Sequence, residues 1–197
     1  MAGMRNRDLT ENEYNQVHDY FYNNNQLRNM LMYSIQRWAG YRISETLSLQ
    51  VKDIFNPDGA IKATIKVAKA NMKGGKSRPA IPIHENLKAD IEAYREYLID
   101  IDEFYPERYL FKSRKGKNKP LTYVQAWRIV KAVYNILAIY ENTATHSFRK
   151  TFAMSVLEKS GNDIVLLQEV LAHESPKTTI KYTRISEQKI ANAVLAQ

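Results

Sequence analysis

With 197 residues, 44% of them hydrophobic and two of them tryptophan, the chain is long enough to bury one sizeable core and short for two full domains. Lys and Arg outnumber Asp and Glu by 29 to 21, a formal charge of +8 that points to a polyanionic partner, nucleic acid or a membrane surface. The absence of cysteine excludes a disulfide framework and cysteine-ligated metal sites; the opening MAGMRNRDLT is too polar for a signal peptide and no apolar run reaches spanning length, so a soluble, cytoplasmic protein is expected.

Thr10 with Glu13 three positions later is a capping-box signature that predicts a helix from about Thr10 to Tyr22. QLRNMLMYSIQRWAG carries Leu27, Met30, Leu31, Ile35 and Trp38 at helical spacing and ends in Gly40, the pattern of a core-facing helix with a glycine stop. Ser44 is then the expected cap of a short helix, SETLSLQ. VKDIF, AIKATIKV and RPAIPI are short β-branched runs separated by NPDG and NMKGGKS, which predicts a small three-stranded antiparallel sheet. Helices are expected again over about Glu85 to Leu98, Thr122 to Tyr140, Ser147 to Lys159, Asp163 to Leu171 and Glu187 to Leu195. The fold class is therefore mixed α+β and predominantly helical, in one domain over residues 1–197 with a helical tail at 185–197.

The charge is concentrated. Between Ile61 and Arg78 lie Lys62, Lys66, Lys69, Lys73, Lys76 and Arg78 with no acid, and FKSRKGKNKP adds Lys112, Arg114, Lys115, Lys117 and Lys119. Lys69, Lys76, Arg78, Lys115 and Lys117 are the candidate contacts to a nucleic acid or other polyanion. Asp100, Asp102 and Glu103 in DIDEF form an acidic group, but three acids beside no histidine read as a solvated turn rather than a metal site.

In THSFRKTFAMSVLEKSG, Phe148, Phe152 and Val156 recur every four residues and face the core, while His146 and Arg149 lie together at the helix start, where the dipole suits a phosphate. HESPKTTIKYTR raises a second question, whether Tyr182 reacts. A tyrosine hydroxyl, with a pKa near 10, attacks phosphorus only with help from a base or a strongly cationic site. The phosphodiester in turn needs fixed donors, which arginine's planar fork supplies better than lysine, and a proton for the departing oxygen.

AGYRISETLSL, KGGKSRPAIPI, THSFRKTFA and LLQEVLAHESPKTTIKYTR resemble, in order, the signature segments of the tyrosine recombinases, the phage-integrase family. The resemblance runs from about Leu9 to the C-terminus. It implies that family's catalytic-domain fold and a site-specific recombinase or integrase of double-stranded DNA that works without metal or cofactor through a 3′-phosphotyrosyl intermediate, as in mobile-element integration, in a nucleoid-associated setting. By the same resemblance Arg42 and Arg149 clamp the scissile phosphate, His146 assists proton transfer, His173 hydrogen-bonds a non-bridging oxygen, Lys73 protonates the leaving 5′ oxygen and Tyr182 is the nucleophile.

The lysine differs from the family's spacing: Gly74 stands eight residues before Pro82, with Lys73 one further back, so the loop has an extra residue or Lys76 or Lys69 serves instead. Lys150 also follows Arg149 where many relatives have His. About two helices precede Arg42, where most members carry a separate core-binding domain; a single-domain member or the catalytic part of a longer integrase is expected. The tail presents Ile185, Ile190, Ala191, Val194 and Leu195 on one side, and the resemblance implies a free monomer that becomes a homotetramer on paired DNA sites through it. Two other functions compete: a non-catalytic helix-turn-helix regulator built on Ser147 to Leu171, and a type IB topoisomerase-like nicking-closing enzyme. DIVLLQEVLA, apolar and acidic, is poorly suited to a major groove, which disfavours the regulator.

Overall fold

The computed structural model describes residues 7–72, 78–140, 143–173 and 179. Among them the chain forms α1 (Glu11–Asn23), α2 (Leu27–Ala39), α3 (Ile43–Leu47), α4 (Val51–Ile54), β1 (Thr64–Ile65), a 3₁₀ turn (Lys69–Asn71), β2 (Ile81–Pro82), α5 (Glu85–Asp100), α6 (Tyr123–Ile136), α7 (His146–Lys159) and α8 (Ile164–Leu171). Thr10 and Glu13 close the capping box that starts α1, and Thr122 and Asp163 cap α6 and α8 with their side-chain oxygens. Among the described residues, the predicted helices agree with the observed ones within a few residues, except that Ser44 lies inside α3, which starts at Ile43; the helix expected over Glu187 to Leu195 lies outside the described residues.

The fold is organised around α2. Residues Asn29 to Arg37 of this helix are all buried, because α1, α3, α5 and α7 pack around it. A ring stack runs across it: Phe21 on Tyr33 at 5.7 Å, Tyr33 on Phe148 at 4.7 Å, and Phe148 on Tyr134 at 6.1 Å, tying α1, α2, α7 and α6 into one core. A second, smaller cluster of Phe152, Ala153, Leu157, Leu167 and Leu171 holds α7 against α8.

The sheet is smaller than expected. β1 and β2 pair antiparallel, Thr64 opposite Pro82 and Ile65 opposite Ile81, and the anticipated third strand, VKDIF, is instead α4 followed by an isolated bridge from Phe55 to Ile61. Local chemistry decides it. The Asp53 carboxylate accepts from the Gln50 N–H at 2.8 Å, while the Val51 and Lys52 N–H groups donate to the carbonyls of Arg108 and Pro106. Those donors are then taken by a loop, not by a neighbouring strand, and the β-branched side chains of Val51 and Ile54 are buried all the same.

Candidate active site

Gly40 closes α2 in the left-handed conformation, φ 63°, which lets the chain turn straight into Tyr41 and Arg42. No other residue fits: a Cβ there would collide with the Phe152 ring of α7, its Cγ at 2.9 Å. The turn aims the Gly40 carbonyl at α7, where Arg149 donates to it; the same guanidinium donates to the Leu171 carbonyl at 2.8 Å. Arg149, expected beside His146 at the start of α7, is fully buried at the centre of the site.

Glu45 organises the cations. Its carboxylate, wholly buried, accepts from the Arg42 backbone N–H at 2.8 Å and pairs with the Arg42 guanidinium at 2.6 Å, while its second oxygen lies 3.8 Å from Arg149 and 4.0 Å from Arg78. Three guanidiniums thus face one carboxylate. Arg42 remains half-buried with a path to solvent. The surplus of positive charge suits the anion formed when a singly charged phosphodiester accepts a nucleophile and gains a second charge.

His173, buried next to this cluster, places Nε2 at 3.3 Å from Arg149 and Nδ1 at 3.0 Å from the Thr179 hydroxyl. Arginine has no lone pair to offer, so Nε2 accepts and Nδ1 carries the proton. Removal from water, and then the charges of Arg149, Arg42, His146 and Arg78, bring its pKa down to about 3. His146, the first residue of α7, is exposed; desolvation and the neighbouring Arg149, Arg42 and Lys150 lower it to about 4. Because the residue reaches solvent, the repulsion from those cations is the part of that depression that persists as water enters. Both histidines are neutral at pH 7.

The structure therefore gathers Arg42, His146, Arg149 and His173 from α3, α7 and the end of α8. Tyr182, Lys73 and Lys76, and the tail at 185–197, lie outside the described residues. Arg78, expected as a surface contact to DNA, is buried and donates to the Ala39 and Gly40 carbonyls at 2.7 and 3.4 Å. Lys69, Lys115 and Lys117 are exposed as expected. Sequence reasoning missed Glu45, Arg78 and Thr179 as parts of the site. For Glu45 a signal existed: an acid three residues after Arg42 at a helix start is placed to bond that residue's N–H and its guanidinium together.

Lys115 belongs to a second feature, a groove of about 1110 Å³ lined by Arg28, Arg108, Lys112, Arg114, Lys115 and Arg128. Glu103 pairs with Arg108 at 2.7 Å and with Lys112, so this acid of the DIDEF run is engaged by cations. Burial, with repulsion from Arg114 and Arg108, pushes the Arg28 guanidinium below its usual range. The groove opens at the first turn of α2 and the arginine cluster sits past its last, about 20 Å apart for 13 residues at 1.5 Å each. The second helix of the suspected helix-turn-helix, α8, turns Val165, Leu166 and Glu169 to solvent, an apolar and acidic face poorly suited to reading a groove.

The description of the phage integrase family matches residues 7–189. The chain is 34% identical over 172 residues to the probable integrase/recombinase YoeC of Bacillus subtilis, spanning 87% of this chain and 85% of that protein. It is 32% identical over 189 residues to the tyrosine recombinase XerA of Pyrococcus furiosus, covering 95% of this chain but 60% of that one. The crystal structure of the XerH site-specific recombinase bound to palindromic difH substrate, a post-cleavage complex, superposes with a TM-score of 0.74 at 27% identity, over 98% of this chain and 53% of that one. No helix among the described residues is long and apolar enough to cross a membrane. With its arginines and histidines assembled on this fold, the chain belongs to the phage integrase family, the tyrosine recombinases.

Proposed function

We propose that the protein cuts and rejoins double-stranded DNA at specific sites through a covalent phosphotyrosyl intermediate. The observation that carries this reading is the convergence of Arg42, Arg149, His146 and His173 around one buried carboxylate, Glu45. The Tyr182 oxygen attacks the scissile phosphorus as its proton passes to a base, a role that His146, neutral and exposed, is suited to take. The bond from phosphorus to the 5′ oxygen breaks, and that oxygen takes a proton from Lys73, or from Lys69 or Lys76. The products are a 3′-phosphotyrosine and a free 5′ hydroxyl, and the reverse reaction on a second strand rejoins the DNA.

Arg42 and Arg149 stabilise the charge that grows on the non-bridging oxygens. His173 can donate to a non-bridging oxygen without gaining charge: when the Thr179 hydroxyl donates to Nδ1, the neutral ring carries its proton on Nε2. Lys69, Lys115, Lys117 and the basic groove follow the duplex; the 20 Å spacing amounts to about six base pairs at roughly 3.4 Å each. The protein is monomeric when free and forms a tetramer on paired sites through the segment 185–197, in the cytoplasm and on the nucleoid.

The test is a nicked duplex that traps the cleaved state, resolved on a denaturing gel. The wild-type chain should give a covalent band whose peptide maps to Tyr182, and Tyr182→Phe should bind DNA equally and give none. A band that survives the substitution, or maps to another tyrosine, rejects the assignment.

A further inference from the structure

Arg78 stands just before β2 with its side chain 2% exposed, too deep to reach a phosphate on the surface. Its guanidinium donates to the Ala39 and Gly40 carbonyls, lies 4.0 Å above the Tyr41 ring and stands 4.0 Å from the second Glu45 oxygen. Two of these partners are shared: Arg149 donates to the same Gly40 carbonyl and stands 3.8 Å from the same Glu45 oxygen. Tyr41 in turn donates to the Ile65 carbonyl at 2.9 Å, so the Arg78–Tyr41 stack also ties β1 to the end of α2. A hydrophobic side chain would fill this space without desolvating a charge, so packing alone does not account for arginine at this position.

We propose that Arg78 is a positioning residue for the arginine pair: by dividing the Gly40 carbonyl and the Glu45 carboxylate with Arg149, it fixes the Arg149 guanidinium and keeps Glu45 from neutralising it. This rests on the function proposed for the site. In a poorly solvated cluster a lone carboxylate and a lone guanidinium close on each other and their fields cancel. A carboxylate already closed on Arg42 and drawn toward Arg78 as well as Arg149 does not close on Arg149, which keeps its positive charge to spend on phosphate. The fork geometry matters as much as the charge, because one guanidinium spans two successive carbonyls at the end of α2.

The experiment compares full-length wild type, Arg78→Met and Arg78→Lys on a nicked duplex that the wild type cleaves. At saturating DNA the cleavage rate should fall about 10²-fold in Arg78→Met, on the scale of losing one transition-state donor, and about tenfold in Arg78→Lys, which keeps the charge and loses the fork. DNA affinity and its salt dependence should stay as in wild type. A separate measurement on protein alone follows the His173 ring by NMR: losing the Arg78 charge should raise its pKa, and lysine should restore it. A saturated rate within threefold of wild type with weaker, less salt-dependent binding would return Arg78 to the DNA surface and overturn the proposal. So would an unchanged His173 titration in Arg78→Met, or a lysine variant no faster than methionine, since both mean packing alone. If Arg78→Met does not fold, the lysine variant decides: a wild-type rate rejects the idea and a tenfold loss at unchanged affinity supports it. Should the wild type form no adduct on any duplex, the catalytic reading fails, while the His173 titration still decides whether Arg78 sets the field around Arg149.

Discussion

His173 is 8% exposed, with Arg149 on one ring nitrogen and Thr179 on the other, and its pKa of about 3 lies well below the ordinary value of 6.5. The sign of the consequence follows from linkage. Above pH 6.5 the ring is neutral in folded and unfolded chains; as pH falls toward 3 the unfolded chain takes up a proton that the folded one refuses, so stability is lost. One such group contributes a slope of about 1.4 kcal/mol per pH unit. Urea unfolding between pH 6.5 and 4 should therefore show a shallower slope for His173→Gln than for wild type; taking the difference removes His18, whose pKa is raised by Asp90 and which acts in the opposite sense. Glu45 gives a second prediction. Glu45→Gln leaves buried guanidiniums without their counter-charge and should cost about 3–5 kcal/mol of stability as well as cleavage, read by the same unfolding. Arg42, His146, Arg149 and His173 were legible because each sits in a short run that resembles a signature segment of the family; read one at a time, none was decisive. Arg78 was not legible, since what defines it is a pair of carbonyls 38 and 39 residues away, and a basic loop read in isolation looks solvated.

Among the elements, α2 carries the most consequence, because the glycine that caps it hands its carbonyl to both Arg78 and Arg149. Gly40→Ala forces a side chain into the left-handed region and against the Phe152 ring. The expected cost is about 2–4 kcal/mol, from backbone strain and overpacking together, with a larger loss of cleavage than an equally destabilising change elsewhere, such as Val130→Ala in α6. Thermal melts matched to single-turnover rates would separate the two effects. The same helix was readable in advance from its apolar spacing and terminal glycine. The strand expected at Val51 to Phe55 was not a misjudged pattern so much as a short apolar run whose hydrogen-bond partners come from residues 106–108, which no local periodicity reports.

Over the whole molecule, charge is divided between the buried arginine cluster and the open groove at the other end of α2. Substituting Arg114 and Lys115 together by Ala should weaken DNA binding and reduce the slope of log affinity against log salt by about two, with the saturated cleavage rate unchanged. The buried cluster has a different weakness. Arg149 is held at one end by Gly40, on the large core, and at the other by Leu171, on the cluster that joins α7 to α8 and contains five buried apolar residues. A unit that small opens on its own at a lower temperature than the rest, and when α8 swings away it takes the Leu171 carbonyl with it. On warming, cleavage should therefore fail before the helices melt, and reversibly so on cooling. Leu167→Ala, which should loosen the small cluster by about 2–5 kcal/mol, ought to widen the interval between the two temperatures, with activity lost early and circular dichroism lagging behind it.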